Sequence, residues 1–314
     1  MNILFTAAGR RVEIIEIFKK ELPKDKVFAA DVDNTAPGLY ATQDAFIVPR
    51  FSEPACLQAI LKLCKKHHID VIIPLIDPEI DFYAAHAKAF LESGVRILLS
   101  DQSVVDIARD KWKTFLFFQR HSIPAIETFE RKQQLKSLPA IAKPRTGSAG
   151  QGVVRIADSR QLEGLNLDNS YIYQPLLQGE EITVDVITDG KGLCLGIGQR
   201  RRLKVRAGEV ERAVTVHHPE VDRCVRQLVQ WLKPFGIINV QLFKTAQGQL
   251  CFQEINLRLG GGCPLTYAAG INIPGLIKSV LDGNPPLECA QARPGVHMLR
   301  FDRSLYLTKE QMVP

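Results

Sequence analysis

The stretch Ile141-Ala142-Lys143-Pro144-Arg145-Thr146-Gly147-Ser148-Ala149-Gly150-Gln151-Gly152-Val153 reads as an apolar strand that delivers a lysine into a glycine-rich loop. Glycines let backbone N–H groups approach phosphate oxygens with no Cβ in the way, and Lys143 adds a point charge. Pro144 breaks the strand, and Ile141 and Val153 flank the loop as anchors of a hairpin. The lysine precedes the glycines, the reverse of GxxxxGK[ST], so this is not a Walker loop. A surface hairpin without a ligand is the competing reading of this stretch taken alone.

Further along stand Asn239-Val240-Gln241-Leu242-Phe243 and Phe252-Gln253-Glu254-Ile255-Asn256-Leu257-Arg258. Side chains alternate faces along a strand, so Asn239 and Gln241 share one face, as do Glu254 and Asn256. A turn at Ala246-Gln247-Gly248 would pair residues near 244 with those near 249 and set the two polar sets opposite each other. Hard oxygen ligands of this kind suit Mg²⁺, which keeps waters and bridges phosphates. A solvent-facing polar strand is the alternative. Arg258, ahead of Leu259-Gly260-Gly261-Gly262, adds a cation beside a flexible loop and suits charge on a transferring phosphoryl group.

The first 100 residues alternate short apolar runs (Ile3–Phe5, Val27–Ala30, Phe46–Val48, Val71–Ile73, Val95–Leu99) with helical patterns such as Val12-Ile14-Ile15-Phe18 and Cys56-Ile60-Leu61-Cys64. This βαβ rhythm predicts an open, mostly parallel sheet. Thr6-Ala7-Ala8-Gly9-Arg10-Arg11 falls at its first strand-to-helix turn, either packing the helix or contacting substrate through Gly9 and Arg10. It is not GxGxxG, which argues against a dehydrogenase. Asp31, Asp33, Asp77 and Glu79 follow strands at the carboxyl end, where such sheets bind ligands, although acids are common in loops. A second unit starts near Ser100 with one helix over Asp101–His121 that stops at Ile123-Pro124. Its strands are Ala140–Lys143, Gly152–Ile156, Tyr171–Gln174 and Ile182–Ile187, with a helix around Glu220–Trp231 before the polar hairpin.

Composition excludes several classes. The 314 residues are 46% hydrophobic and 24% charged, ordinary for a globular chain, and no apolar run approaches the ~20 residues of a membrane span. MNILFTAAGRR puts its basic pair after the apolar run, opposite to a secretory signal. Seven scattered cysteines with no CxxC pair fit reduced thiols in a cytoplasmic protein. The net charge of +6 concentrates only in QRRRLKVR at 199–206, where no interleaved aromatics favour nucleic acid. A solvated basic strand, or contacts with a small anion, remain for that run. His67-His68 and His217-His218 read as surface or capping residues.

The order of these motifs resembles the ATP-grasp superfamily, especially its carbamoyl-phosphate-synthase-like and amino-acid ligase branches, over nearly the whole chain. The resemblance implies a Rossmann-like preATP-grasp unit at 1–100, an ATP-grasp unit of two α+β subdomains sandwiching ATP at 101–300, and a tail at 301–314. It implies an ADP-forming carboxylate–amine ligase working through an acyl phosphate, with ATP and Mg²⁺. Lys111 and Lys143 stand at the nucleotide-contacting lysines, and Arg145, Gly147, Ser148, Gly150 and Gly152 in the phosphate-covering loop. Gln174 and Leu176 fall in the adenine linker and Glu181 at the ribose acid. Gln241, Glu254 and Asn256 match the Mg²⁺ ligands, although many members carry an acid at the first of these. Arg258, Lys204 and Arg206 would hold the transferred phosphate or the substrate acid. Implied partners are a small carboxylate and an amine, an amino acid being expected, and a homodimer is common in such enzymes. The alternative is an ATP-binding sensor or assembly subunit, which loss of Glu254, Asn256 or Arg258 would have favoured.

Overall fold

In the computed structural model, which describes residues 1–147, 150–206 and 208–314, the early apolar runs become a parallel sheet. Its strands are β1 (Asn2–Thr6), β2 (Lys26–Asp31), β3 (Asp44–Ile47), β4 (Val71–Pro74) and β5 (Arg96–Ile97), in the order β3-β2-β1-β4-β5. The helices α1 (Val12–Glu21), α2 (Cys56–His67) and α3 (Asp77–Glu92) are its crossovers. Ile3, Leu4, Phe5, Val71 and Ile72 are wholly buried, as expected of strands covered on both faces.

The single helix expected over 101–121 is two, α4 (Gln102–Arg109) and α5 (Lys111–Arg120). Asp110 breaks it with extended backbone (φ −112°, ψ 111°), and its carboxylate caps α5 by accepting from Trp112 and Lys113 N–H. The apolar pattern runs through the break without interruption, so only the cap reveals it.

A small antiparallel sheet follows, ordered β7-β6-β8, from β6 (Ala140–Pro144), β7 (Val154–Ile156) and β8 (Tyr171–Pro175), with α6 (Ser159–Gly164) beside it. The larger sheet runs β13-β12-β9-β10-β11-β15. It comprises β9 (Glu180–Asp189), β10 (Cys194–Arg206), β11 (Glu209–Val216), β12 (Phe235–Lys244), β13 (Leu250–Asn256) and β15 (His297–Leu299), with β14 (Ala290–Gln291) parallel to β10. Helix α7 (Pro219–Leu232) buries Val221, Val225, Leu228 and Leu232 in the core of the large sheet, and α8 (Cys263–Ala268) and α9 (Ile273–Leu281) follow β13. No helix among the described residues is long and apolar enough to cross a membrane.

Candidate functional site

Lys143 is the penultimate residue of β6, its side chain 3% exposed and its Nζ without a hydrogen-bond partner among the described residues. Burial pushes its amine down to about 8, Lys111 adds to that, and the Glu254 carboxylate opposes it. A buried ammonium with no acceptor is costly, so the position calls for an anion. Lys111 opens α5, where its Nζ donates to the Gly147 carbonyl at 2.9 Å and its backbone N–H to the Arg145 carbonyl at 2.9 Å. Burial lowers its amine too, and Glu254, Arg109 and Asp77 are close enough to act on it. The break at Asp110 is what turns Lys111 toward the glycine loop.

Opposite lies the β12–β13 hairpin. Gln241 pairs with Glu254 and Asn239 with Asn256, and a bulge after Gln241 leaves Gln253 as the extra residue. Asn256 Nδ2 donates to Glu254 Oε1 at 2.9 Å, which leaves the Asn256 amide oxygen free. Gln241, Glu254 and Asn256 thus offer oxygens of low charge, and no cluster of three or more His, Cys, Asp or Glu stands among the described residues. That donor set fits Mg²⁺ shared with phosphates and waters better than a closed protein cage. Asn239 is engaged elsewhere: its Nδ2 donates to the buried Asp185 at 2.7 Å, and Arg200 and Thr266 also bond that carboxylate.

Arg258 reaches from the end of β13 toward the N-terminal unit. Its Nη2 donates to Asp77 Oδ2 at 2.6 Å, while its Nε is buried without an acceptor among the described residues. Asp77 and Arg258 therefore meet, across the boundary between the two units.

Other expected site residues are placed differently. Arg145 forks onto Asp110 at 2.7 and 3.2 Å and touches Glu130, so it braces the α5 cap. Gly147, Gly150 and Gly152 take φ of 110°, 71° and 72°, which glycine alone adopts cheaply, while Ser148 lies outside the described residues. Gln174 is buried, its Nε2 donating to Thr128 at 2.8 Å and its Oε1 without a partner among the described residues. The Leu176 N–H donates to the Pro139 carbonyl at 2.9 Å, so that donor is already engaged. Glu181 pairs with Arg202, and Lys204 and Arg206 with Glu211 and Asp302. The Lys204 and Arg206 side chains are about half exposed, and no ion pair or hydrogen bond among the described residues ties them to Lys143, Glu254 or Arg258.

In the N-terminal unit the Gly9 N–H donates to Asp31 at 2.8 Å, and Arg10 is exposed, 3.5 Å from Asp302. Glu79 is a correction to the substrate reading: it is wholly buried, with Leu75 and Ile76 N–H on one carboxylate oxygen and Thr6 on the other. It is a structural acid. The sequence reading missed Arg109, and missed Arg11 with Glu209 (2.7 Å) and Arg300, whose side chain donates to the Val210 and Gly261 carbonyls. The basic pair at 10–11 was visible, but nothing in the sequence around Arg300 marks it.

A small sheet presenting Lys143, joined by Lys111 from α5, against a carboxylate-bearing hairpin of a larger sheet, behind a parallel-sheet unit, is the arrangement of the ATP-grasp fold. Residues 3–98 match the PylC-like N-terminal domain family, and residues 168–303 match the family described as ATP-grasp in the biosynthetic pathway with Ter operon. The match at 168–303 is to an ATP-grasp family, and the fold over most of the chain is the ATP-grasp fold. It is 23% identical over 278 residues to the carbamoyl phosphate synthase arginine-specific large chain of Halalkalibacterium halodurans, covering 81% of this chain but only 26% of that protein. The biotin carboxylase domain of Hydrogenobacter thermophilus 2-oxoglutarate carboxylase, solved with MgADP, ADP and bicarbonate, superposes with a TM-score of 0.76 at 16% identity, over 94% of this chain and 73% of that one. The L-amino acid ligase of Bacillus licheniformis gives 0.68 at 21% identity, over 89% and 74%.

Proposed function

We propose that the protein is an ADP-forming ligase that joins a small carboxylic acid, an amino acid being the expected class, to an amine. The observation that carries this is the buried Lys143 ammonium, without a hydrogen-bond partner among the described residues, set against Glu254, whose carboxylate Asn256 bonds, with Lys111 beside it. Such a pairing of cations with oxygen ligands is what a nucleoside triphosphate and Mg²⁺ would complete.

An oxygen of the substrate carboxylate would attack the γ-phosphorus of ATP, the bond to the β–γ bridging oxygen would break, and ADP would leave with that electron pair. The amine would then attack the acyl phosphate carbon, expelling phosphate and losing a proton to water. Lys143 and Lys111 would hold phosphate oxygens, and Arg258 would face the charge on the transferring group. Gln241, Glu254 and Asn256 would hold Mg²⁺, which supplies charge neutralisation between phosphates. No nucleophilic side chain is needed, because positioning and charge do the work. Closure of the loop at 145–152 would keep water from the acyl phosphate.

The test is Mg²⁺-dependent ADP release over amino acids singly and in pairs, with Glu254→Gln alongside. Release that needs two substrates and disappears in the variant is the expected result. Undiminished ADP formation by Glu254→Gln would sink the metal-site assignment. Failure of the wild-type chain to bind MgATP would overturn the whole reading.

A further inference from the structure

Asp77 is the first residue of α3, past the carboxyl end of β4, so it belongs to the N-terminal unit, yet its charge serves the other one. It is 4% exposed. Arg258 Nη2 donates to its Oδ2 at 2.6 Å, and Arg109 Nη1 stands 3.9 Å from its Oδ1. Arg109 is in turn held by a two-pronged bond to Asp81, one turn along α3, at 2.9 and 3.0 Å. The other end of the Arg258 fork has only a long bond from Nη1 to its neighbour's carbonyl, at 3.4 Å. Its Nε is buried and has no acceptor among the described residues.

A guanidinium is a rigid plane, so fixing one nitrogen against a carboxylate fixes where the others point. Burying such a pair costs desolvation that packing with apolar residues would avoid. Its orientation, not its stability, is therefore what the pair supplies. We propose that Asp77 is a positioning residue: from the N-terminal unit it aims the free donors of Arg258 at the transferring phosphoryl group. This rests on the ligase reading above and adds to it that the parallel-sheet unit takes part in the chemical step.

Asp77→Ala removes acceptor and charge, whereas Asp77→Asn keeps an acceptor of the same shape. Misaiming a catalytic group by about 1 Å costs on the order of 100-fold. Asp77→Ala is therefore expected to lower kcat roughly 30- to 100-fold while the KM for MgATP changes less than about threefold. Asp77→Asn should recover part of the loss. In an Arg258→Lys background, which has no fork to aim, Asp77→Ala should cost less than about threefold more. Urea midpoints of the variants check that folding is intact. A purely structural contact would instead raise KM and lower the midpoint with kcat spared, which overturns the proposal, as does an unchanged kcat in Asp77→Ala. If the wild-type chain releases no ADP with any pair, the ligase reading falls and takes this with it. If the wild type turns over and Asp77→Ala matches it, this proposal alone falls.

Discussion

Lys143 is the residue whose environment says most about its role. Its amine is lowered to about 8 by burial, so the folded chain without ligand gives up that proton well before an unfolded lysine at 10.5 would. Below about 8 the ammonium is present in both states and its burial costs stability. Between about 8 and 10.5 the unfolded chain holds the extra proton, so this group's contribution makes stability rise with pH. Nucleotide binding runs the other way, because phosphate favours the ammonium. The affinity for MgATP should be flat below pH 8 and weaken about tenfold per pH unit above it. Dissociation constants measured from pH 7 to 9.5 check this, and Lys143→Ala should bind weakly with no such break. A flat profile in the wild type would remove Lys143 from the phosphate site. The lysine was legible in the sequence because a strand and a glycine loop bracket it. Its orphaned state was not, since that depends on Glu254 and Lys111 arriving from other elements.

Among the elements, α3 shows how a strand end and a helix start are locked together. Glu79 lies in its first turn, and burial raises its carboxyl to about 7, with the Thr6, Leu75 and Ile76 bonds pulling the other way. The folded value lies above the ordinary 4.5, so the stability this acid contributes is complete below pH 4.5 and is lost as pH rises through about 7. Glu79→Gln is neutral throughout and keeps the shape. Urea unfolding from pH 4 to 8 should therefore show a flatter profile for the variant. At pH 8 the variant should be the more stable by up to about 3 kcal/mol, which corresponds to the rise from 4.5 to about 7. An identical pH slope in the two proteins would mean that Glu79 is ionised in the fold. The early strands were legible because short runs of three to five residues, mostly apolar, alternate there with helical patterns. β10 was less so: in its outer half, Arg200–Arg206, only Leu203 and Val205 are apolar and both are exposed, so the sequence left a solvated basic strand beside an anion-binding run, and pairing with β11 makes it a strand. The strand expected over 95–99 shrinks to Arg96–Ile97, because only those residues pair with β4.

Across the whole molecule, the parallel-sheet unit and the large sheet bury one continuous core. Ile3, Phe5, Ile73 and Leu98 belong to the same cluster as Ile187, Leu195, Ile237, Leu259 and Ile271. Gly236 is a close contact within that core: it holds φ +87°, and a Cβ there would stand 2.8 Å from Leu98 Cδ1 and Cγ. Gly236→Ala is expected to lower stability by about 2–4 kcal/mol, from strain and overpacking together. Because the core is shared, both units should lose stability at once, in a single urea transition by tryptophan fluorescence and far-UV circular dichroism. Two separated transitions, or an unchanged midpoint, would contradict a common core. By itself, the sequence determined the strand–helix alternation of the first 100 residues, the lysine loop and the polar hairpin, because each rests on spacing within a few residues. Tertiary structure alone decided that Asp77 holds Arg258, that Glu79 is a core acid, and that Arg145 braces the α5 cap. Those outcomes depend on groups from separate elements, brought together only when the elements pack.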